Sequence, residues 1–320
     1  MRDYVLRRLL LFVPTLFVVS VLIFGIMRVL PGDVALVILG GGEGGSSGMS
    51  QSAADQLRES LGLKKPLVIQ YTDWIGGLVT GDTQKSLRTH RPVLAEMEVR
   101  WPVTIELAFL SIFVSVLVGL PLGILSAIKQ DSVMDYILRF VSIAGMVAPT
   151  FWTAILVLLV LGKYLRWIPP VVFASLLDDP WTNLQQMMPP SLVLGTFLAG
   201  SLSRMARSSM LEVLRQDYIT TARSKGLRQR VVLYRHALKN ALPPVVTLSG
   251  VQLAHVIGGV VVIETVFNLP GIGKMLFDSV MSRDFPVTQT VILFLVGAFL
   301  VLNLLIDILY ARLDPRIRYT

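Results

Sequence analysis

Residues 107–128 read LAFLSIFVSVLVGLPLGILSAI, a run of 22 residues without a single charged side chain. A helix needs about 20 apolar residues to cross the roughly 30 Å hydrocarbon layer of a membrane. Five more uncharged runs have a similar length; they span 9–27, 140–162, 181–203, 241–263 and 285–306. The chain is therefore predicted to be an all-α integral membrane protein with six transmembrane helices. Within the first quoted run, Gly119 and Gly123 have the GxxxG spacing that permits close helix packing.

The overall composition also indicates a membrane protein. The chain has 320 residues, of which 53% are hydrophobic and 16% charged, and its mean hydropathy is +0.67. Soluble domains carry about 25% charged residues, so too little polar surface is present here to coat a water-soluble globule. The chain has no cysteine, which excludes disulfides, thiolate metal sites and cysteine nucleophiles.

The N-terminal run, 9–27, needs separate consideration. Arg2, Arg7 and Arg8 precede it, as basic residues precede the hydrophobic core of a signal peptide. Signal-peptide cores span about 7–15 residues and end in small residues at a cleavage site. This run is longer, ends at Arg28 and Pro31, and is followed by five more runs. We interpret it as a transmembrane helix.

The distribution of basic residues predicts the orientation in the membrane. With the N-terminus in the cytoplasm, the inside segments 1–8, 129–139, 204–240 and 312–320 hold 17 Lys/Arg against 6 Asp/Glu. The outside segments hold 12 of each sign when Glu106 and Glu264 are counted with the membrane. Cytoplasmic loops carry the excess of Lys and Arg, so a multi-pass protein of the cytoplasmic (inner) membrane with both termini inside is predicted. The net charge of +8 then needs no nucleic-acid partner.

These segments define a domain organisation. It comprises an N-terminal transmembrane helix (1–30), an extracytoplasmic insertion (31–100), a five-helix core (101–311) and a cytoplasmic tail (312–320). In the insertion, GGGEGG at 40–45 matches the dinucleotide pattern G-x-G-x-x-G, but no βαβ unit surrounds it, so it reads as a flexible linker. The capping-box spacing from Ser52 to Asp55 predicts a short helix that ends at Gly62. We interpret the insertion as a folded outer cap that faces a soluble partner.

The cytoplasmic loop at 204–243 is the most informative segment. Asp217 is predicted to cap a helix over 218–225, which Gly226 ends with a left-handed turn. A second helix is predicted over 228–239, and Pro243 and Pro244 are predicted to begin the fifth span. Nine Lys/Arg side chains lie in 204–240. Such a charged helix pair can dock a cytoplasmic protein or bind anionic lipid, and the residues alone leave both open.

At this loop the sequence resembles a known family. TTARSKGL at 220–227, followed by HALKNALP at 236–243, is similar to the EAA loop of ABC-importer permeases, in the form of the dipeptide, oligopeptide and nickel branch. Thr220 stands where the general motif has Glu, and the distance from Gly226 to Pro243 is longer than in the general motif; both departures fit this branch. Further similar stretches are LRRL at 6–9, LPGD at 30–33, LGL at 61–63, ETVF at 264–267, PGIG at 270–273 and DPR at 314–316. Thr83 and Gln84 replace the usual Phe-Gly of the branch.

The resemblance implies a type I ABC importer permease with six transmembrane helices and a soluble outer insertion after the first. It implies a non-catalytic subunit that moves di- or oligopeptides by alternating access. The expected partners are a second homologous permease, two ABC ATPases, an extracytoplasmic substrate-binding protein and the lipid bilayer. No cofactor is expected on this chain, because ATP and Mg would be bound by the ATPases. The same machinery could import nickel complexes, glutathione or oligosaccharides.

The resemblance also assigns candidate site residues. The ATPase-coupling residues are Thr220, Thr221, Ala222, Arg223, Lys225, Gly226, Leu227, His236 and Asn240. The outer-loop gate is Pro270, Gly271 and Gly273. Ionisable groups in or near the spans usually face a cavity or a partner, so the substrate-pathway candidates are Glu106, His255 and Glu264. For His255 a hydrogen-bonded packing role is preferred, and Asp307 is expected to pair with Arg312. No metal site is expected.

Other function classes fit the sequence less well. Gly271-Ile272-Gly273-Lys274 resembles the end of a phosphate loop, but Asn268 and Met275 stand where a Walker A motif needs Gly and Ser/Thr. An intramembrane enzyme is disfavoured because the chain has three histidines, no His-Glu-x-x-His and no cysteine. A channel or secondary transporter would need no docking loop and would work without ATPase subunits.

Overall fold

The structure is a computed structural model that describes residues 2–29, 55, 58–59, 64–81 and 83–313. These residues are mainly helical and contain no strand, only an isolated bridge between Lys85 and Pro92. The predicted all-α class is therefore confirmed. The predicted linker at 40–45, most of the predicted short helix near 52–62 and the tail at 314–320 lie outside the described residues.

Twelve α-helices and one π-helical segment are described here. In chain order the α-helices are α1 (Arg2–Val29), α2 (Leu67–Thr80), α3 (Val93–Ile128), α4 (Val133–Val147), α5 (Thr150–Lys163), α6 (Pro180–Leu214), α7 (Asp217–Ser224), α8 (Gln229–Val231), α9 (Lys239–Gly259), α10 (Val261–Val266), α11 (Ile272–Met281) and α12 (Phe285–Leu313). The π-helical segment Val232–Leu238 joins α8 to α9.

Three described helices are long and apolar enough to cross a membrane by themselves. They are Arg8–Val29 in α1, Val93–Ile128 in α3 and Phe285–Ile308 in α12. They contain the predicted runs 9–27, 107–128 and 285–306.

The predicted run at 181–203 lies in α6, and the run at 241–263 is divided between α9 and α10 at Val260, so the prediction of one continuous helix over 241–263 is wrong. Neither α6 nor α9 is among the three. Helix α6 buries polar side chains, including Asn183 and Gln186, against the rest of the protein. Both side chains donate hydrogen bonds to backbone carbonyl oxygens within the protein, so these amides do not have to face lipid unpaired.

The predicted run at 140–162 is not one helix. It falls on α4 and α5, which together could form a fourth span but are bent by 100° at the break. Ala148, at the break, has an extended backbone with φ −62° and ψ 126°. Proline sterically disfavours the helical conformation of the residue before it, and Pro149 follows Ala148. The prediction of a continuous helix over 140–162 is therefore wrong.

Helix α6 is the centre of the fold, because it contacts α3, α4, α5 and α9. Glycines allow its closest approaches. A Cβ on Gly119 of α3 would lie 2.8 Å from the Ala199 carbonyl oxygen, and one on Gly123 would lie 2.4 Å from that of Ser203. The close packing predicted from the GxxxG spacing is confirmed, with α6 as the partner.

The N-terminal helix packs on the last helix and on α2. Arg8 forms an ion pair with Asp307. The predicted pairing of Asp307 with Arg312 lies outside the described side chains and stays a prediction. Tyr71 of α2 shares a hydrogen bond of 2.8 Å with Ser20, and Trp74 is buried and stacks on Phe24 at a centroid distance of 6.2 Å. The described part of the predicted insertion thus contains α2, which packs along the second half of α1.

The loop at 204–243 differs from its prediction in three places. Residues 204–214 are the last part of helix α6 and not part of a loop. Helix α7 begins at Asp217 itself, and the N-cap is Gln216 without a side-chain cap bond, so Asp217 lies in the first turn instead of capping it. The helical path from Gln229 continues through the π-helical segment into α9, because Leu238 and Lys239 both keep helical φ and ψ angles. Pro243 and Pro244 therefore lie inside α9 and do not begin it.

Candidate functional site

The predicted coupling element is α7 with the turn that follows it. Ile219 and Ala222, three residues apart on one face of α7, are buried. They join a hydrophobic cluster with Ala127 from the end of α3, Met210 from α6 and Ala241 from α9. Helix α7 is therefore packed against the ends of three long helices.

The opposite face of α7 and its turn are open. Thr220, Thr221, Arg223, Lys225 and Leu227 are all exposed, and Leu227 exposes 40% of its surface. A short polar helix that ends in an exposed Leu offers charged, hydrogen-bonding and apolar contacts to a protein partner.

Gly226 ends the element with φ +74°, in the left-handed region. Its amide donates to the Arg223 carbonyl oxygen at 2.9 Å. A Cβ at this position would meet nothing within 4 Å. Glycine is therefore favoured by the backbone conformation and not by lack of space. The predicted left-handed turn is confirmed.

His236 and Asn240 lie on the helix that packs beside α7. The Asn240 amide donates to the Tyr218 hydroxyl at 2.9 Å and to the His236 carbonyl oxygen at 3.0 Å. Ala222, His236 and Asn240 are thus suited to holding the element in place, whereas the exposed residues are suited to contact. Sequence reasoning missed Tyr218 and Ile219, although the spacing of Ile219 and Ala222 was the available signal.

A buried ion pair braces the same end of the bundle. The carboxylate of Asp135 in α4 is fully buried and accepts from Arg207 Nη2 at 2.9 Å and Nε at 3.1 Å. It also accepts from Ser126 Oγ of α3 and from the Asp131 amide at 3.0 Å. This network joins α3, α4 and α6 beside α7, and the sequence reasoning did not single it out.

At the other end of the bundle, Glu264 has no exposed surface. Its carboxylate accepts from Thr104 Oγ1 at 2.6 Å and from the Lys274 amide at 2.9 Å. The Thr104 hydroxyl in turn accepts from the Ile272 amide at 2.8 Å. Glu264 therefore caps the N-terminus of α11, a position that carboxylates stabilise. Both of its oxygens are thus occupied and buried, and its place in a substrate pathway stays a prediction.

The predicted gate glycines fit around this carboxylate. A Cβ on Gly271 would lie 2.2 Å from the Glu264 carboxyl group, and one on Gly273 would lie 2.7 Å from Val261 Cα. Pro270 lines a cavity of about 260 Å³ between this loop and the outer loop at 168–173. The glycines thus serve close packing here, and a gating role stays a prediction.

The two other substrate-pathway candidates, Glu106 and His255, have different contacts from those of Glu264. Glu106 is half-buried and accepts from Asn183 Nδ2 at 3.2 Å, and the same amide donates to the Ala174 carbonyl oxygen at 3.1 Å. His255 is exposed on α9, with its ring 5.6 Å from that of Phe299. Both roles considered for His255, packing and a substrate pathway, stay predictions. Within the described ranges, no group of three or more His, Asp or Glu side chains could hold a metal ion.

Comparison with known proteins gives consistent matches over the whole chain. The model of the family described as "Binding-protein-dependent transport system inner membrane component" matches residues 119–319, and its N-terminal companion model matches residues 1–108. The chain is 39% identical to the dipeptide transport system permease protein DppB of Alkalihalophilus pseudofirmus, over all of both chains. It is 38% identical to the glutathione transport system permease protein GsiC of Escherichia coli, again over all of both.

Among solved structures, the chain is similar to the MetNI methionine ABC transporter in an inward-facing conformation. The TM-score is 0.55 at 16% identity, and the match covers 66% of this chain and 93% of that one. At that level of identity the likeness concerns the fold, which is that of a type I ABC importer permease.

Proposed function

The chain belongs to the family of inner-membrane components of binding-protein-dependent transport systems and is the permease component of an ABC importer; we propose that it moves di- or oligopeptides, driven by ATP. The cargo is inferred from relatives named for dipeptide and oligopeptide transport that match the chain over its full length. Glutathione, the cargo named for another such relative, is itself a peptide. Nickel complexes and oligosaccharides remain the alternatives.

The observation that supports the ATP-driven mechanism is the packing of α7 against α3, α6 and α9. Its buried face, Ile219 and Ala222, contacts side chains from the ends of α3, α6 and α9, while its other face is exposed. We infer that the exposed face docks in a groove of a separate ABC ATPase. This subunit then hydrolyses no ATP itself, and Mg-ATP is bound by two such partners.

In the proposed cycle, closure of the two ATPases on ATP draws the α7 helices of two related permeases together. The hydrophobic cluster passes that movement to the long helices, because its members are close-packed and do not yield independently. The bundle then switches between inward-facing and outward-facing states. Coupling free energies between distant sites are typically about 1–3 kcal/mol, so the two states must be nearly balanced. A substrate-binding protein delivers the peptide at the predicted outer face.

Site-directed cross-linking tests the docking. Because the chain has no native cysteine, Arg223→Cys in the complete transporter places one thiol on the exposed face of α7. We expect it to cross-link to an ATPase subunit carrying a single cysteine, and we expect ATP to change the yield. The matched control is Arg88→Cys, an exposed arginine in the predicted outer segment, which should give no such product.

The outcome that contradicts the proposal is equally specific. Equal cross-linking from both positions, or peptide uptake in membranes that lack the ATPase subunits, would instead favour a channel or secondary transporter.

A further inference from the structure

A cavity of about 650 Å³ opens between α3, α4 and α6, beside the start of α7. It is rich in arginine and serine. Its arginines are Arg139, Arg204, Arg207 and Arg215, and its serines include Ser203 and Ser208. Neither the proposed docking of an ATPase on α7 nor a peptide pathway accounts for this concentration of hydrogen-bond donors.

The positive charge in this cavity is only partly neutralised. Asp135 is saturated by Arg207, and Arg139 stands 3.4 Å from the same carboxylate with a buried Nε that makes no hydrogen bond. In the described part of the chain, the hydrogen-bond partner of Arg204 is the sulfur of Met146, at 3.5 Å. Arg215 has no acidic partner among the described residues. Glu212, the other carboxylate at the rim, is exposed. The cavity therefore offers unpaired guanidinium groups to an anion.

The apolar side chains in and beside the cavity indicate which kind of anion it binds. Ile143 and Leu211 form part of the cavity wall. On α4, Phe140 is 72% exposed and Ile137 is 56% exposed, so an apolar surface runs past the cavity mouth. Arginine is well suited to bidentate contacts with phosphate oxygens. A ligand with a phosphate head and hydrocarbon tails satisfies both features, whereas a free phosphate ion satisfies only the first.

We propose that this cavity binds the headgroup phosphate of an anionic phospholipid from the cytoplasmic leaflet. Basic pockets between membrane helices on that side are suited to such headgroups. Arg204 and Arg215 contact the phosphate, Ser208 adds a hydroxyl donor, and the acyl chains lie along α4. The lipid thereby bridges α4 and α6 next to Gln216, the N-cap of α7. This inference rests on the orientation included in the proposed function, with residues 204–240 on the cytoplasmic side.

Native mass spectrometry of the complete transporter tests the site. The complex is purified from vesicles of mixed phosphatidylglycerol and phosphatidylcholine, and the retained lipids are counted at increasing detergent concentration. We expect selective retention of phosphatidylglycerol. Arg204→Gln and Arg215→Gln should each weaken retention about fivefold, the effect of removing one basic residue near an anionic headgroup. Arg139 and Arg207 are left intact because they hold Asp135.

The matched control is Arg235→Gln, an exposed arginine of the same loop that lies outside the cavity and should retain the lipid as the unmodified complex does. Equal loss in the control, or retention that does not distinguish the two lipids, overturns the proposal. Displacement of the lipid by millimolar inorganic phosphate assigns the cavity to a soluble anion and also overturns it. Lipid retention is read without peptide uptake, so its failure is distinguishable from failure of the transport function.

Discussion

At the residue scale, glycines of this chain are needed for two different reasons. Gly226 has φ +74° and open space around its Cα, so only the backbone conformation restricts the residue type. Gly271 faces the opposite constraint, because any side chain there would overlap the Glu264 carboxyl group. Substitutions at the two positions should therefore fail in different ways.

For Gly226 we expect uncoupling without loss of the protein. Gly226→Pro fixes φ near −65° and removes the amide that donates to Arg223, so the turn after α7 must change. Peptide uptake in proteoliposomes should fall at least tenfold while the protein remains in the membrane. Gly226→Asn is the control, because asparagine tolerates the left-handed region and should keep most of the uptake. Full uptake by Gly226→Pro would refute the role of this turn.

For Glu264 we expect a loss of stability and not a change of cargo. Glu264→Ala leaves the Thr104 hydroxyl and the Lys274 amide without their buried acceptor, and each unsatisfied group costs about 1–3 kcal/mol. Thermal unfolding of the purified protein should therefore begin at a lower temperature. Glu106→Ala, which affects a half-buried carboxylate with one longer hydrogen bond, should have a smaller effect. A Glu264→Ala protein with unchanged stability and altered peptide preference would contradict this expectation and support a place for Glu264 in the substrate pathway.

At the element scale, the fold depends on how closely α3 and α6 approach each other. The contacting atoms at Gly123 include the Ser203 carbonyl oxygen, which is backbone and cannot rotate away. The break between α4 and α5 is the second feature of the helices on which the fold depends. It turns the chain by 100° and leaves α4 against α6, where Asp135 meets Arg207.

The effect of separating α3 from α6 can be measured with one methyl group. Gly123→Ala places a Cβ 2.4 Å from the Ser203 carbonyl oxygen, and overpacking of this kind typically costs about 1–3 kcal/mol. We expect a lower unfolding temperature in detergent and reduced recovery of the assembled transporter. Gly162→Ala in α5 is the control, since a Cβ there meets nothing within 4 Å. Equal stability of the two variants would show that α3 and α6 can separate at no cost.

At the scale of the whole molecule, the predicted orientation places α7 and the Asp135–Arg207 network at the cytoplasmic face. The ion pair between Arg8 and Asp307 joins the N-terminal helix to the last helix near that same predicted face. Both ends of the described chain thus meet on one side, which agrees with termini predicted to be inside.

Thiol labelling in intact cells measures this orientation. Lys225→Cys, at the exposed end of the α7 turn, should react with a membrane-impermeant maleimide only after the cells are opened. His90→Cys, exposed in the predicted outer segment, should react in intact cells. Labelling of position 225 from outside would invert the orientation and remove the basis for ATPase docking.

The sequence by itself determined the class of the protein, three of its six predicted membrane helices as single spans and the left-handed turn at Gly226. These depend on local properties, namely the length of apolar runs and the backbone freedom of Gly226. The tertiary structure decided which groups meet. Asp135 pairs with Arg207 across 72 residues, and Glu264 with Thr104 across 160. Such contacts depend on how several helices pack at once, so no local pattern specifies them. For this reason the hydrogen bonds that Glu106 accepts from Asn183 and Glu264 accepts from Thr104 were not foreseen, and the place of both residues in a substrate pathway stays a prediction.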